Sequence, residues 1–529
     1  MDPAIATLAI LAIAIVAFVS GRVPIGIVAI GVAIALWATG VLTLPEALAG
    51  FGDPTVLFIA SLFVVSEALD ATGVTAWVGR QVIGRAGVRR GRLTAVIALI
   101  VAVLAAFISI NGAVAALLPV VVVVAARAKI VPSRLLIPVA FAASAGSLLT
   151  LAGTPVNPLV SDTAVAAGGR AFGFFEFALI GVPIVLCTTA IVALAGGRLL
   201  PERRPATVEG SRDTEEAART FRDEYAVSLD TTSLFTADEG VTEVLIAPRS
   251  PLIGRRVCAG MRTLREDLLI LAVRRGDDGG PNATQADPAG YLTLRAGDAV
   301  LVQGPWPALE RYVQSPEVIA VSAPGTLQRG VPFSRGAWRS VIILAAMVVL
   351  LATGLVPPAV AGLAAAGALV LTGVLSVPQV YRSISWTTVV LIAGMIPLST
   401  AIVSTGAAEW FADLAVAMTG GASPHLVLLV LCVVTVALGQ FISNVATVLV
   451  VAPIAVSVSA MLDVSVQPFM MALTVAGAAA FLTPIATPVN LMVMQPGGYR
   501  FGDYWRLGLP LAIVFIAFAV LVVPLIWPF

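Results

Sequence analysis

The sequence predicts an all-helical, polytopic membrane protein built from two repeats, with a small soluble domain inserted between them. The chain has 529 residues, of which 59% are hydrophobic and 12% charged, and its mean hydropathy is +1.00. Most charges lie in the middle of the chain, between two apolar parts that share residue pairs at a nearly constant offset. So little charge could not cover a soluble globule of this size, which excludes a soluble enzyme.

The distribution of charge predicts three regions. Residues 1–200 form a first membrane repeat, residues 201–334 a polar insert, and residues 335–529 a second membrane repeat. Within the insert, strand-like runs such as Val241–Ala247 and Ala299–Val302 are separated by Gly, Pro and Asp turns. This pattern is typical of a small soluble α/β domain.

Each apolar part contains five candidate spans, since crossing the hydrocarbon core takes about 20 apolar residues. They lie near residues 3–20, 23–42, 55–73, 134–158 and 177–199, and near 338–355, 357–377, 386–405, 468–492 and 506–528. Each part also has an apolar pair, about 93–126 and about 424–461, interrupted by Ser109-Ile110-Asn111-Gly112 and Ser443-Asn444. A polar tip inside the bilayer must lie in protein or water, so each pair is predicted to be a re-entrant hairpin.

The two apolar parts are related in sequence. Phe107-Ile108-Ser109 recurs as Phe441-Ile442-Ser443, 334 positions later, and Thr154-Pro155-Val156-Asn157 recurs as Thr487-Pro488-Val489-Asn490, 333 positions later. Chance similarity between apolar segments would not keep this register, so we interpret the chain as an internal duplication.

Five spans per part place the second repeat upside down relative to the first. The positive-inside rule supports this topology, because the basic residues of the short loops fall on one side. They are Arg22, Arg80, Arg85, Arg89, Arg90, Arg92, Arg127, Lys129, Arg134, Arg382, Arg500 and Arg506. The predicted location is the cell (inner) membrane, with this side and the insert in the cytoplasm and both termini outside. Inverted repeats with paired interrupted segments are typical of secondary transporters.

Two predicted helix breaks, Gly153–Asn157 and Ala486–Asn490, should meet the hairpin tips near the membrane midplane. Pro155 and Pro488 lack a backbone N–H and disfavour helix at the preceding residue. The N-termini of the half-helices would attract an anion without any Lys, Arg or His in the motifs. Free carbonyls and Ser or Asn oxygens would suit Na⁺. We expect no organic cofactor and, with a net charge of +1, no nucleic-acid partner.

These motifs carry a family resemblance. Ser443-Asn444, followed by Pro453 and by Ala486-Thr487-Pro488-Val489-Asn490, resembles the divalent-anion:sodium symporters of the ion-transporter superfamily, which include sulfate, dicarboxylate and citrate carriers. The resemblance implies a homodimer with an elevator-type transport domain. It implies one Na⁺ site at Asn444 and Ala486, another at Ser109, Asn111 and Gly153, and an anion pocket at Thr154, Thr487 and Pro488. The other polar or break residues of these segments complete the candidate set: Gly112, Pro155 and Ser443 for the anion, with Asn111 and Asn444 contacting the anion as well as Na⁺, and Asn157 and Asn490 for Na⁺.

The tips depart from the family pattern of Ser-Asn-Thr. Val445 stands where the second tip would have Thr, and Ile110-Asn111 shifts the first Asn by one position. The missing hydroxyls favour a compact anion, with sulfate as the first candidate and a dicarboxylate as the second. Alternatives are an exchanger or exporter of the same superfamily, for Na⁺/H⁺ or an oxyanion, and an ion channel gated by the insert. The spans contain no constellation typical of an intramembrane enzyme.

The insert carries a separate resemblance. The segments 242–257, 269–275 and 294–302 are similar to a C-terminal regulator-of-potassium-conductance (TrkA-C) domain, which would span about residues 225–323. Such domains dimerise or bind small regulatory ligands. Two acidic residues stand apart from the motifs: for Asp70 we expect a solvated or capping role, and Asp162 could equally carry an ion or face the outer vestibule.

Overall fold

Helices make up the two apolar parts of the chain, and a small sheet lies between them in sequence. The computed structural model describes residues 2–20, 22–83, 90–128, 130–203, 239–258, 260–263, 266–275, 291–321, 336–407, 409–410 and 423–529. The contacts divide the chain into two units. One comprises Met1–Leu69, Val78–Thr207 and Trp338–Phe529, and the other comprises Asp70–Trp77 and Val208–Ala337.

The helices of the first apolar part are α1 (Pro3–Ser20), α2 (Ile25–Ala38), α3 (Leu44–Leu48), α4 (Pro54–Ala71), α5 (Val74–Ile83), α6 (Arg90–Phe107), α7 (Ile110–Arg127), α8 (Leu136–Gly146), α9 (Val156–Ala166), α10 (Ala178–Leu194) and α11 (Gly196–Leu199). A helix of the insert, α12 (Trp306–Val313), follows. The second apolar part contains α13 (Ala337–Thr353), α14 (Pro358–Leu371), α15 (Val377–Ser383), α16 (Trp386–Ser404), α17 (Pro424–Leu438), α18 (Asn444–Met461), α19 (Val466–Ala478), α20 (Pro488–Gly497), α21 (Trp505–Ala517) and α22 (Val523–Ile526).

The duplication is visible in how corresponding helices begin. Short helix α3 starts at a capping box in which Glu46 accepts a hydrogen bond from the backbone N–H of Thr43 at 2.8 Å. Its counterpart α15 starts at a capping box in which Gln379 accepts one from the N–H of Ser376, also at 2.8 Å. Both pairs lie 333 positions apart and satisfy N–H groups that a helix start leaves free.

Two half-helices form the centre of the membrane unit. Every residue of α8 and every residue of α19 is buried. The rings of Phe141 in α8 and Phe481 after α19 lie 4.8 Å apart, centroid to centroid. Helices α8 and α19 are therefore surrounded by protein, and their ends lie in the interior of the unit.

Six helical stretches of the described residues are long and apolar enough to cross a membrane: Pro3–Ser20, Leu44–Ala71, Arg90–Phe107, Trp386–Ser404, Asn444–Met461 and Trp505–Ile526. Seven shorter apolar helices accompany them. The predicted fold class is confirmed as a mostly helical architecture with many apolar helices and one small sheet. Which face each loop occupies stays a prediction. Of the basic residues that carried it, Arg85, Arg89 and Lys129 lie outside the described residues.

The insert forms an antiparallel sheet in the order β3-β5-β1-β6. Its strands are β1 (Glu239–Ile246), β3 (Leu269–Arg274), β5 (Ala299–Pro305) and β6 (Val318–Ala320), and β2 (Arg256–Val257) pairs separately with β4 (Leu292–Thr293). Both strand-like runs of the sequence are strands here. Helix α12 covers the sheet through Trp306 and Leu309, which are buried with Val241 and Val302. The domain boundaries, including the TrkA-C-like limits of about 225–323, stay a prediction, and residues 225–238 of that range lie outside the described residues.

Candidate functional site

Each hairpin tip is the start of a helix that is capped by its own serine. Ser109 precedes α7 and its hydroxyl accepts a hydrogen bond from the N–H of Gly112 at 3.1 Å. Ser443 precedes α18 and accepts one from the N–H of Ala446 at 3.3 Å. The serine hydroxyls thus satisfy one N–H at each helix start, and other N–H groups of the first turn stay free for a ligand.

Each predicted break is an irregular segment between two half-helices. The first runs from the end of α8 at Gly146 to the start of α9 at Val156, and the second from Ala478 to Pro488. The amide nitrogen Nδ2 of Asn157 donates to the carbonyls of Ser147 and Thr150 at 2.9 and 2.7 Å. The side chain is fully buried. It therefore supplies a donor to the carbonyl of Ser147, directly after α8, and a second donor, beside the N–H of Gly153, to the carbonyl of Thr150.

Asn490 does the same in the second repeat. Its Nδ2 donates to the carbonyls of Ala480 and Thr483 at 2.9 and 3.0 Å. Both acceptors lie 333 positions after their counterparts in the first repeat. The amide nitrogens of Asn157 and Asn490 are thus occupied, and only their Oδ1 atoms remain as candidate cation ligands.

Tip and break are joined directly within each repeat. The hydroxyl of Thr150 donates to the carbonyl of Ala106 at the end of α6. In the second repeat the hydroxyl of Thr483 donates to the carbonyl of Gln440 at 3.0 Å. These two contacts bring the predicted tip and the predicted break of each repeat together.

A small cavity opens where the first tip meets the first break. It measures about 20 Å³ and is lined by Ile59, Leu62, Phe63, Phe107, Ser109, Ala152, Gly153 and Pro155. This is room for an ordered water or a small ion. None of these residues is charged. The cavity therefore contains three of the predicted site residues, Ser109, Gly153 and Pro155, on one side and the apolar face of α4 on the other.

The two repeats also cross over. Helix α9, after the first break, packs against α18, which starts at the second tip, and α20 packs against α7, which starts at the first tip. The helices that start at the tips and breaks therefore pack in two pairs, each of which joins the two repeats. The partial positive charges at their N-termini provide an attractive potential for an anion without a cationic side chain.

Buried oxygens without a hydrogen-bond partner indicate where a cation fits. Among the described residues, buried side-chain oxygens without a partner at the tips and breaks are the Oδ1 atoms of Asn157 and Asn444 and the hydroxyl of Thr447, and others lie elsewhere, in Thr188, Thr189, Ser315 and Gln467. A buried oxygen without a hydrogen-bond donor costs about 1–3 kcal/mol. Amide and hydroxyl oxygens are ligands that a hard cation such as Na⁺ accepts. The oxygen of Asn157 at the first break, and those of Asn444 and Thr447 at the second tip, are therefore of the type that fits Na⁺.

The remaining predicted residues are placed less centrally. Asn111 is exposed on the first turn of α7, and Pro488 is exposed at the start of α20. Thr487 caps α20, its hydroxyl accepting a hydrogen bond from the N–H of Asn490 at 3.2 Å, and Ala486 is buried beside it. Thr154 is half-buried.

Of the acidic residues, Asp162 lies exposed on α9, where it accepts a hydrogen bond from the hydroxyl of Thr55 on α4. His425 lies with its ring 4.9 Å from that of Phe529.

Sequence reasoning missed four groups that hold the site together, Ser66, Thr150, Gln440 and Thr483, and it missed the unpartnered hydroxyl of Thr447. Ser66 of α4 holds the first tip, since its hydroxyl accepts a hydrogen bond from the N–H of Ser109 at 3.3 Å. Thr150 and Thr483 could have been found, because they lie 333 positions apart like the residues of the breaks. Gln440 and Thr447 could not, because their counterparts are Ala106 and Ala113.

Comparison with known proteins identifies the family. The sequence profile of the citrate transporter (CitMHS) family matches residues 15–476 and 415–529. An uncharacterized transporter of Escherichia coli (strain K12), YfbS, is 30% identical, over 99% of both chains. Sodium/sulfate cotransporter 1 of Chlamydomonas reinhardtii is 25% identical over 51% of this chain and 31% of its own length. The YdaH transporter of Alcanivorax borkumensis superposes with a TM-score of 0.49 at 13% identity, covering 90% of this chain and 86% of that one, a level from which neither fold nor function follows. The family and these relatives are transporters, and the chain belongs to the citrate transporter family within the ion-transporter superfamily.

Proposed function

We propose that this transporter is a Na⁺-coupled symporter of a small divalent anion, with sulfate as the first candidate and a dicarboxylate as the second. The proposal depends on one observation: helices that start at a tip and at a break of opposite repeats pack in pairs, and the amide oxygens of Asn157 and Asn444 at these helix starts are buried without a partner. The first feature suits an anion and the second suits Na⁺. Binding both together offsets the cost of placing either charge in a medium of low dielectric constant.

The preference for sulfate has two supports. The tips lack the Thr hydroxyl that would contact a second carboxylate, since Val445 and Gly112 take those positions. A relative named a sodium/sulfate cotransporter aligns with half of this chain at 25% identity. Citrate, from which the family takes its name, is the largest of the three anions and the least suited to these tips.

The transport cycle we propose is of the elevator type. The hairpins α6–α7 and α17–α18 and the broken spans α8–α9 and α19–α20 would carry the anion and Na⁺ across the membrane as one body. The remaining spans would form a static scaffold and the contact between two copies in a homodimer. The many hydrogen bonds within each tip-and-break pair support movement as one body.

Uptake into proteoliposomes tests the function. Purified protein should accumulate labelled sulfate when Na⁺ is imposed outside, and accumulate succinate more slowly. Uptake that follows an imposed proton gradient, without Na⁺, would contradict Na⁺ coupling and favour another carrier of the superfamily. Discrete current steps in a planar bilayer would instead favour a channel. Uptake of labelled citrate, measured in the same assay, should be the slowest of the three anions.

The role of the insert and the membrane topology are proposals that rest on the sequence pattern. We place residues 201–334 in the cytoplasm as a TrkA-C-like domain that dimerises or binds a small regulatory ligand, and both termini outside the inner membrane. Single cysteines are introduced at Asp2 or at Arg255 in a variant without the native cysteines. In whole cells, an impermeant maleimide should label Asp2→Cys and should not label Arg255→Cys. Labelling of Arg255→Cys from outside would overturn the topology.

A further inference from the structure

One buried side chain joins the second tip to the second break more firmly than anything joins the first pair. Gln440, 4% exposed, follows α17 and precedes the tip. Its Nε2 donates to the carbonyl of Val436 at 2.9 Å and to that of Ala479 at 3.3 Å. Its Oε1 accepts a hydrogen bond from the N–H of Leu482 at 2.9 Å. The side-chain amide thus uses both its donor and acceptor sites between two segments.

The first repeat lacks this side chain. The position 334 residues before Gln440 is Ala106, which contributes only its carbonyl, the acceptor of the Thr150 hydroxyl. The threonine-to-carbonyl contact is therefore common to both repeats, and the amide is an addition of the second. In the first repeat, the additional contact to the tip comes from Ser66 of α4 instead.

Gln440 and its partner Leu482 lie close in sequence to the residues assigned to the cation. Asn444, with its unpartnered Oδ1, is four residues after Gln440, and Ala486 is four residues after Leu482. A hydrogen-bonded bridge between Gln440 and Leu482 thus fixes the spacing between one cation ligand on the tip and one on the break. Residues that orient ligands in this way govern metal affinity without touching the metal.

We propose that Gln440 is a positioning residue that preorganises the cation site of the second repeat. This inference rests on the proposed Na⁺ coupling and adds an asymmetry to it, because the first repeat has no equivalent amide. A side chain that served packing alone would affect stability and leave Na⁺ affinity unchanged.

The test measures the half-saturating Na⁺ concentration for uptake of labelled sulfate by the full-length protein in proteoliposomes. Gln440→Met keeps the volume and removes all three hydrogen bonds. It should raise the half-saturating Na⁺ concentration at least about tenfold, as expected for a group that orients a metal ligand. The maximal rate at saturating Na⁺ should be retained. Gln440→Glu, which keeps the acceptor for Leu482, should give an intermediate value and carries the test if the Met variant does not fold.

The matched control is Gln467→Met. Gln467 is also buried, and its Nε2 donates to the carbonyl of Arg170 at 2.7 Å, away from both tips. This variant should lose thermal stability and keep the wild-type Na⁺ dependence. An unchanged Na⁺ dependence in the Gln440 variants, or an equal shift in the control, overturns the inference while the proposed function stands. Sulfate uptake by the wild type that does not respond to Na⁺ overturns both.

Discussion

Asn157 and Asn490 make the same pair of hydrogen bonds in the two repeats, each donating from Nδ2 to the carbonyls seven and ten residues earlier. In both cases the acceptors are carbonyls of the irregular segment that follows the half-helix, and the carbonyl of Thr150 also accepts from the N–H of Gly153. The Asn of the Thr-Pro-Val-Asn motif is thus explained by the break itself. A helix can stop in the interior of the membrane unit because this side chain replaces the missing backbone donors.

We expect Asn157→Leu and Asn490→Leu to have similar effects. Asn490→Leu leaves the carbonyls of Ala480 and Thr483 without this donor. Asn157→Leu leaves the carbonyl of Ser147 without a donor, whereas that of Thr150 keeps the N–H of Gly153. Each carbonyl left without a donor costs about 1–3 kcal/mol, so both variants should lower the melting temperature and abolish uptake. Thermal unfolding in detergent and sulfate uptake are the measurements. Asn111→Leu, on the exposed first turn of α7, is the control for stability and should melt like the wild type. A wild-type melting temperature for either buried variant would contradict this account of the breaks.

The threonines that join break and tip should also behave as a pair. Thr150→Val and Thr483→Val each remove a hydroxyl donor and keep the shape, which should cost about 1–3 kcal/mol because a carbonyl loses its partner. The two sites lie in different repeats, so the losses should add in the double variant. Thr435→Val is the control: its buried hydroxyl donates at 2.7 Å only within its own helix, to Leu431. Losses in the double variant that fall well short of the sum would show that the two contacts are coupled.

The sequence predicted most of the helical architecture and the four segments of the site. Apolar length marks the spans, proline marks the breaks, and the nearly constant offset identifies corresponding residues without any structure. The hydrogen bonds were not predictable, because Asn157 and Thr150 act on backbone carbonyls, which every residue carries alike. Gln440 was not predicted, because comparison of the repeats identifies only residues that both repeats share, and the counterpart of Gln440 is Ala106.

Gly153 is predicted to be intolerant of any side chain. A Cβ built on it would lie 2.2 Å from the carbonyl oxygen of Ser147, an acceptor of the Asn157 amide. Gly153→Ala should therefore displace the first break, cost about 1–3 kcal/mol as overpacking does, and strongly reduce uptake. Gly31→Ala is the control, since nothing lies within 4 Å of its Cβ position. Equal uptake by the two variants would show that the first break is not part of the transport site.

A pH-dependent ion pair connects the segment that follows α11 to the second repeat, outside the spans. Arg203 donates to both carboxylate oxygens of Asp503 at 3.1 and 3.2 Å, and the N–H of Arg500 donates to the same group at 2.8 Å. Burial raises the pKa of Asp503, but the hydrogen bonds from Arg203 and Arg500 outweigh it, so the pKa is lowered.

A lowered pKa means that the charged carboxylate stabilises the fold above the unfolded pKa of about 4, and that this stability disappears as pH falls through the folded pKa. Asp503→Asn should therefore lower the melting temperature at pH 7, and the difference from wild type should shrink on acidification. A difference that grew towards low pH would show that the pKa is raised rather than lowered. Glu409→Gln, at an exposed position, is the control and should melt like the wild type at both pH values.

The hydrogen bond from Thr55 to Asp162 joins α4 to α9, that is, a proposed scaffold span to a proposed moving one. The backbone N–H of Thr55 is held separately by Asp53 at 2.8 Å, so removing the hydroxyl leaves the start of α4 intact. In an elevator cycle this bond must break each time α9 moves. A hydrogen bond to a charged group contributes about 1.5–3 kcal/mol, so its loss should disfavour this conformation about tenfold or more.

Thr55→Val and Asp162→Leu should therefore change the uptake rate in the same direction and by a similar factor, since each removes the same bond. The uptake rate of the double variant should match that of either single variant, because the first substitution already removes the hydrogen bond. Asp162→Asn retains an oxygen that can accept from Thr55 and should stay closer to the wild type. Initial rates of sulfate uptake in the four variants are the measurement. Independent, additive effects of Thr55→Val and Asp162→Leu would mean that the contact does not couple α4 to α9, and would remove this bond from the transport cycle.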